Sequence, residues 1–211
     1  IVIDSKCSKI VPLIGLHQSD TKNIAFQIAN LFGGQIIETN NSIDQRYLNL
    51  DSFGHQWGWK RSGEIHNWSK LVINQAQKKA IFCKQLSGNS LWKTSESAEI
   101  INQIYENEIE RADSTFHISI FEKHEKTWHP PVLWVGIGCE RNTSKQLIEN
   151  SLSNLLDSGN LSHHSIAGFA TIDIKKNEKG IIELAEENNL PIKFFTKEDL
   201  SKKFVPNPSS A

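Results

Sequence analysis

From residue 132 the sequence keeps a regular beat. Apolar runs at 132–137, 166–170 and 191–195 alternate with helical patterns at 143–156 and 178–188. Strands separated by single helices cannot close as hairpins. They return in the same direction and build a parallel sheet. A looser version of the beat precedes it. An apolar stretch at 10–15 is followed by a helical pattern over 21–32, with Ile24, Ile28 and Leu31 at helical spacing. Gly33-Gly34 stops that helix, and QIIET (35–39) reads as the next strand. Further helices are predicted over 68–80 and 97–108, and strands over 81–86 and 114–123. Residues 40–66 are polar and rich in Trp and Gly, and read as loop with room for one short helix. HEKTWHPP (124–131) has two adjacent prolines and no period, so it reads as a linker carrying an exposed His129. The expected fold class is α/β: two Rossmann-like three-layer α/β units with mostly parallel sheets, one over 1–123 and one over 132–211.

Composition excludes several classes of function. A net charge of −1 gives no overall electrostatic support to nucleic-acid binding. No apolar run approaches the roughly 20 residues that span a bilayer, so no membrane partner is expected. Cys7, Cys83 and Cys139 are odd in number and lack CxxC spacing. They argue against a disulfide framework and for a reducing, cytoplasmic compartment. The chain has no methionine, which suggests a piece of a longer protein.

Two stretches carry candidate chemistry. GIGCERNTS (136–144) stands between a strand and a helix. Gly136 and Gly138 let backbone approach a ligand, and Thr143 or Ser144 can cap the helix. The free N–H groups and dipole at such an end favour an anion. The stretch is not a P-loop, because Asn142 stands before Thr143 where a lysine is needed, and Arg141 breaks GxGxxG. That counts against a nucleotide-binding reading; an unliganded β-α turn is the plain alternative. Cys139 could be activated at a helix N-terminus, yet no base is fixed beside it by spacing, so a packed thiol is the competing reading. ATIDIKKNEKG (170–180) places Asp173, Lys175 and Glu178 just past a strand's C-terminal end, where open α/β sheets gather ligands. These are candidate acid, base and carboxylate partner; a charged loop that caps the next helix is the bland reading. His17 is a further acid–base candidate or a turn residue. His163-His164 has no third ligand at zinc spacing, so no metal site is expected. FGHQWGWKRSG (53–63) sets Trp57 and Trp59 beside Lys60 and Arg61, which suits a flat anionic ligand or plain packing.

In order, GIGCERNTS, ATIDIKKNEKGIIELAEENNLPIKFFTKEDL and VPNPS resemble the C-terminal domain of the cobalt-precorrin-5A hydrolase family of anaerobic cobalamin biosynthesis. The family pattern runs close to GIGCRRGTS, ATIDLKxDExGL, LPxxFF and PxPS. The resemblance spans about 132–209. VPLIGLHQSDTKNIAFQIANLFGGQIIET is similar to the end of the family's N-terminal domain, and LDSFGHQWGWKRSG to the connecting region of cyanobacterial forms. Asn142 replaces a glycine, and Asn tolerates positive φ. Glu140 replaces an arginine. Ser19 and Asp20 stand near where the family has paired glycines. Compared with that pattern, the sequence stops before the family's final strand and helix.

The resemblance implies a carbon–carbon bond hydrolase that opens the lactone of cobalt-precorrin-5A and releases acetaldehyde to give cobalt-precorrin-5B. The alternative is a non-catalytic module that binds tetrapyrrole intermediates. No resident cofactor is implied, because cobalt arrives with the substrate. Glu178, Asp173 and His17 are the implied catalytic candidates. Gly136, Gly138, Cys139, Arg141, Thr143, Ser144, Lys175 and Trp57 are the implied substrate contacts. The expected partners are the cobalt-containing tetrapyrrole, a fused or associated precorrin-3B methyltransferase, and a second copy in a homodimer.

Overall fold

The computed structural model describes residues 1–11, 19–37, 50, 53–105 and 108–204. The fold is α/β and forms two compact units: residues 1–57, 63–84 and 90–116, and residues 58–62, 85–89 and 117–211.

In the first unit, β1 (Val2–Ile3) pairs antiparallel with β2 (Lys9–Val11), and β2 pairs parallel with β3 (Gln35–Ile36) across helix α1 (Ser19–Phe32). The β-α-β beat is present, but the buried face of α1 is shifted. Ala25 and Ala29 pack with Ile10, while Ile24 and Leu31 are exposed. Strand β4 (Lys60–Ser62) belongs to the second unit, and α2 (Ile65–Ala76) returns to the first. Strand β5 (Phe82–Gln85) pairs parallel with β6 (Asn102–Gln103). The helix expected over 97–108 is therefore absent from its middle: a 3-10 turn at Glu96–Glu99 gives way to β6. Apolar Ile101 and Ile104 are both buried on either side of this two-residue strand. An aromatic cluster fills the unit. Phe53 stands edge-on to Trp57 at 5.4 Å, to Phe116 at 5.3 Å and to Trp92 at 6.4 Å. Such edge-to-face pairs add to the area each ring buries.

The second unit corrects the linker. Residues 124–131 contain β8 (Thr127–His129), which is buried at all three positions. It pairs antiparallel with β4 and parallel with β7 (Thr115–Ile118). His129, expected to be exposed, has no solvent-accessible surface. Thr127 and His129 can occupy such a strand because both find hydrogen-bond partners: Thr127 Oγ1 donates to the His124 carbonyl at 2.9 Å, and both His129 nitrogens are engaged.

The rest of this unit follows the predicted beat. Strands β9 (Leu133–Gly136), β10 (Ile166–Ile172) and β11 (Ile192–Phe195) form an all-parallel sheet with β10 central. Helices α3 (Lys145–Gly159) and α4 (Lys179–Glu187) are the crossovers, and a short α5 (Lys197–Ser201) follows β11. Ile148, Leu152 and Leu156 of α3 meet Ile181, Leu184 and Ala185 of α4 over Ile166 and Phe169 of β10. Both helices thus cover one face of the sheet. That stacking brings the turns after β9 and β10 to the same end of the unit. No described helix is long and apolar enough to cross a membrane.

Candidate functional site

The turn after β9 is built by a few identifiable contacts. The Ile137 N–H donates to Ala170 O at 2.8 Å, and Thr171 Oγ1 donates to Ile137 O at 2.7 Å. Beyond that point the backbone leaves the sheet. Asn142 takes φ +60°, the left-handed conformation that Asn tolerates and most residues resist. Its side chain therefore keeps the turn where the family pattern has glycine. Of the two candidate caps, Ser144 is the one used: its Oγ accepts from the Leu147 N–H at 3.3 Å. Thr143 Oγ1 instead closes the turn by donating to Glu140 O at 2.9 Å.

The turn after β10 meets this one. Glu178 is 9% exposed, and its Oε1 accepts from the Asn142 N–H at 2.5 Å. Lys175 Nζ lies 3.7 Å from Glu178 Oε2. A partly buried carboxylate therefore carries an N–H donor on one oxygen and faces an ammonium across the other. Glu178 is the N-terminal flanking residue of α4 but does not cap its own helix. It reaches across to the neighbouring turn. Gly180 makes that approach possible. A Cβ there would collide with Thr143 O and come within 3.0 Å of the Lys145 N. Lys145 then pairs with Glu187 at the far end of α4, at 2.5 Å.

Gly136 and Gly138 behave differently. An added Cβ at either meets nothing within 4 Å, and neither has positive φ. The chain's own packing does not require glycine at these positions. Their bare backbone borders a cavity of about 410 Å³ lined by Val135, Ile137, Cys139, Glu140, Leu147 and Leu155 among others. Cys139 is half-buried and packs against the core cluster while lining this cavity. It is a free thiol, as are Cys7 and Cys83. Burial raises the Cys83 thiol far above its ordinary range.

The structure thus brings Gly136, Gly138, Cys139, Thr143, Ser144, Lys175 and Glu178 together at one end of the second unit. Arg141 is exposed on the same turn, and Asp173 is half-buried at the start of the 3-10 turn Asp173–Lys175. Trp57 lies in the first unit, where it packs on Phe53. His17 lies outside the described residues. No group of three or more His, Cys, Asp or Glu among the described residues could hold a metal ion. Sequence reasoning missed the direct Glu178–Asn142 bond. The helical spacing placed Glu178 at the start of α4 but gave no sign that its side chain would serve α3.

Comparison with known proteins bears on this end of the molecule. Residues 133–211 match the family described as Cobalamin synthesis G C-terminus. Two relatives are similar over nearly all of the chain. One is the cobalt-precorrin-5A hydrolase of Priestia megaterium, 24% identical over 99% of this chain. Another is the protein of the same name from Salmonella typhimurium, 25% identical over 95% of this chain. The chain spans 59% of the length of each. The crystal structure of a cobalamin biosynthesis protein G homolog from Sulfolobus solfataricus covers 97% of the chain at 17% identity, with a TM-score of 0.32, too low to inform the arrangement of the whole.

Proposed function

We propose that this chain acts in cobalamin biosynthesis as the hydrolase of cobalt-precorrin-5A: it opens the macrocycle's lactone and releases acetaldehyde to leave cobalt-precorrin-5B. The observation that carries the reading is the convergence of the 136–144 and 173–180 turns through Glu178, within the domain that matches the family. The substrate is a cobalt-bearing ring with acetate and propionate arms. Gly136 and Gly138 offer backbone that a flat ligand edge can approach closely. Arg141 and Lys175 supply cations for carboxylate arms. Glu140, which replaces the family's arginine, removes one such cation and leaves Arg141 as the turn's positive group.

The two acidic candidates divide the labour. Glu178 is already engaged by Asn142 N–H and Lys175, so it holds the turns in register. Asp173, half-buried at the C-terminal end of β10, activates water for attack on the lactone carbonyl. Developing negative charge on the carbonyl oxygen is met by backbone N–H groups of the 138–144 turn. His17 is the reserve base.

The test is acetaldehyde release from cobalt-precorrin-5A by the purified chain. Asp173→Asn should lower it by about 100-fold or more with unchanged thermal stability. Glu178→Gln should lower both release and stability. Undiminished release in both variants would remove these carboxylates from the mechanism. Tight substrate binding without aldehyde from the unmodified chain would favour a tetrapyrrole-binding module instead.

A further inference from the structure

A second cluster of reactive groups lies in the same unit, away from the two turns in sequence. Ser62 is the last residue of β4, and His129 the last of β8. Ser62 Oγ stands 2.7 Å from His129 Nε2, and His129 Nδ1 stands 2.8 Å from the Ser119 carbonyl oxygen. A carbonyl oxygen only accepts, so Nδ1 carries the proton and Nε2 is the acceptor. The Ser62 hydroxyl therefore donates to His129. The tautomer is fixed by the backbone, as a nucleophile–base pair requires. Glu122 Oε1 lies 3.8 Å from the same Nε2 and is held by Ser162 Oγ at 2.6 Å. It faces the charge that an imidazolium would carry. His129 has no solvent-accessible surface, whereas Ser62 keeps part of its own and sits on the outermost strand of the ladder. Lys60 is paired directly across from His129, so it projects from the face of β4 that carries Ser62. It is exposed.

We propose that Ser62 and His129 form a nucleophile–base pair that accepts an acyl group from a carboxylic ester or lactone. Ser62 Oγ bonds to the carbonyl carbon as its proton passes to His129 Nε2. Lys60, on the same face of β4, is the cation available to the carbonyl oxygen as it gains charge. The C–O bond to the alcohol then breaks, and the imidazolium returns the proton to the departing oxygen. Water, deprotonated by His129, attacks the acyl–Ser62 ester and releases the carboxylic acid. The net reaction is ester plus water to acid plus alcohol, with no oxidant or reductant. A buried histidine tied into a sheet would show the same hydrogen bonds, so reactivity decides between the two.

A fluorophosphonate ester phosphonylates only serines that are already activated. Incubated with the folded 211-residue chain at neutral pH, it should give one adduct, mapped to Ser62 by peptide mass spectrometry. The adduct should be absent in Ser62→Ala and should form about 100-fold more slowly in His129→Gln. No adduct on the unmodified chain would overturn the proposal, as would an adduct on another serine. Ser62 labelling at an unchanged rate in His129→Gln would overturn it equally. The measurement on the unmodified chain needs no variant to fold. It also needs no tetrapyrrole, so its outcome is independent of the lactone reading above.

Discussion

GIGCERNTS and HEKTWHPP are both short, polar and without a period, yet they fold in opposite ways. The first is a turn whose bonds reach a partner stretch about thirty residues on: Glu178 to Asn142 and Thr171 to Ile137. The second holds a buried strand whose key partner, Ser62, lies 67 residues earlier in sequence. The turn is flanked by signals that propagate: an apolar strand before it and an amphipathic helix after it. The strand β8 is three residues long and reads Thr-Trp-His, with no alternation to betray it. Local pattern reports elements that bury an apolar stripe. It is silent where burial is made tolerable by hydrogen bonds to distant residues.

The strongest way to break this comparison is to remove a bond of the buried strand. His129→Ala deletes a fully buried ring and leaves the Ser119 carbonyl without its donor. Cavity and desolvation costs together should lower stability by about 3 kcal/mol, read by urea denaturation. Loss below about 0.5 kcal/mol would show that 124–131 is the loose linker that its sequence suggested. Gly180→Ala attacks the turn instead. The added Cβ meets backbone, Thr143 O and Lys145 N, which cannot rotate away. The helices α3 and α4 must separate, and the expected cost is about 2 kcal/mol. An unchanged midpoint would mean that the two turns do not pack against each other.

Those two positions also show how far the sequence could be read. The three parallel strands β9, β10 and β11 and both crossovers lie close to their predicted positions, because each buries a stripe onto Phe169. The candidate residues stand in the sequence as two groups, since glycines and charges cluster after strand ends. Their contact was not legible: nothing local tells Glu178 to serve the neighbouring helix rather than its own. In the first unit, the α1 stripe holds in part: Ile28 packs against the Ile10 cluster. Ile24 and Leu31 carry the period, but the smaller Ala25 and Ala29 allow the close approach to Ile10. The helix expected over 97–108 gave way to β6, where pairing with β5 satisfies backbone that the periodicity assigned to a helix.

Acid sharpens the same contrast more gently. Burial holds the folded-state pKa of His129 below the ordinary value of 6.5, while the nearby Glu122 carboxylate opposes the shift. The exposed His164 adds to the lowering, and the bond to Ser119 O opposes it. Above pH 6.5 the ring is neutral in folded and unfolded chains, and its contribution is complete. As pH falls below that value the unfolded chain takes up the proton first, so stability is lost until the folded ring also protonates. The loss is confined to the interval between the unfolded and the folded pKa. Glu122→Gln removes the opposing charge and should enlarge the acid loss. A smaller loss in that variant would mean that the Glu122 charge does not oppose the shift.

The smallest expected effect on stability tests the turn from the other side. Gly138→Ala adds a methyl group that meets nothing within 4 Å, at a position without positive φ. Folding alone gives no reason for glycine there. Stability should stay within about 0.5 kcal/mol of the parent chain or rise slightly, because alanine restricts the unfolded state. The same methyl projects from backbone that borders the 410 Å³ cavity. A tetrapyrrole edge that depends on bare backbone would be displaced, and affinity for cobalt-precorrin-5A should fall about tenfold or more, a difference of about 1.4 kcal/mol. Calorimetric titration beside a urea curve separates the two effects. Weaker binding at constant stability assigns the glycine to the ligand. Loss of stability would return it to the fold, and unchanged binding would move the macrocycle away from this turn.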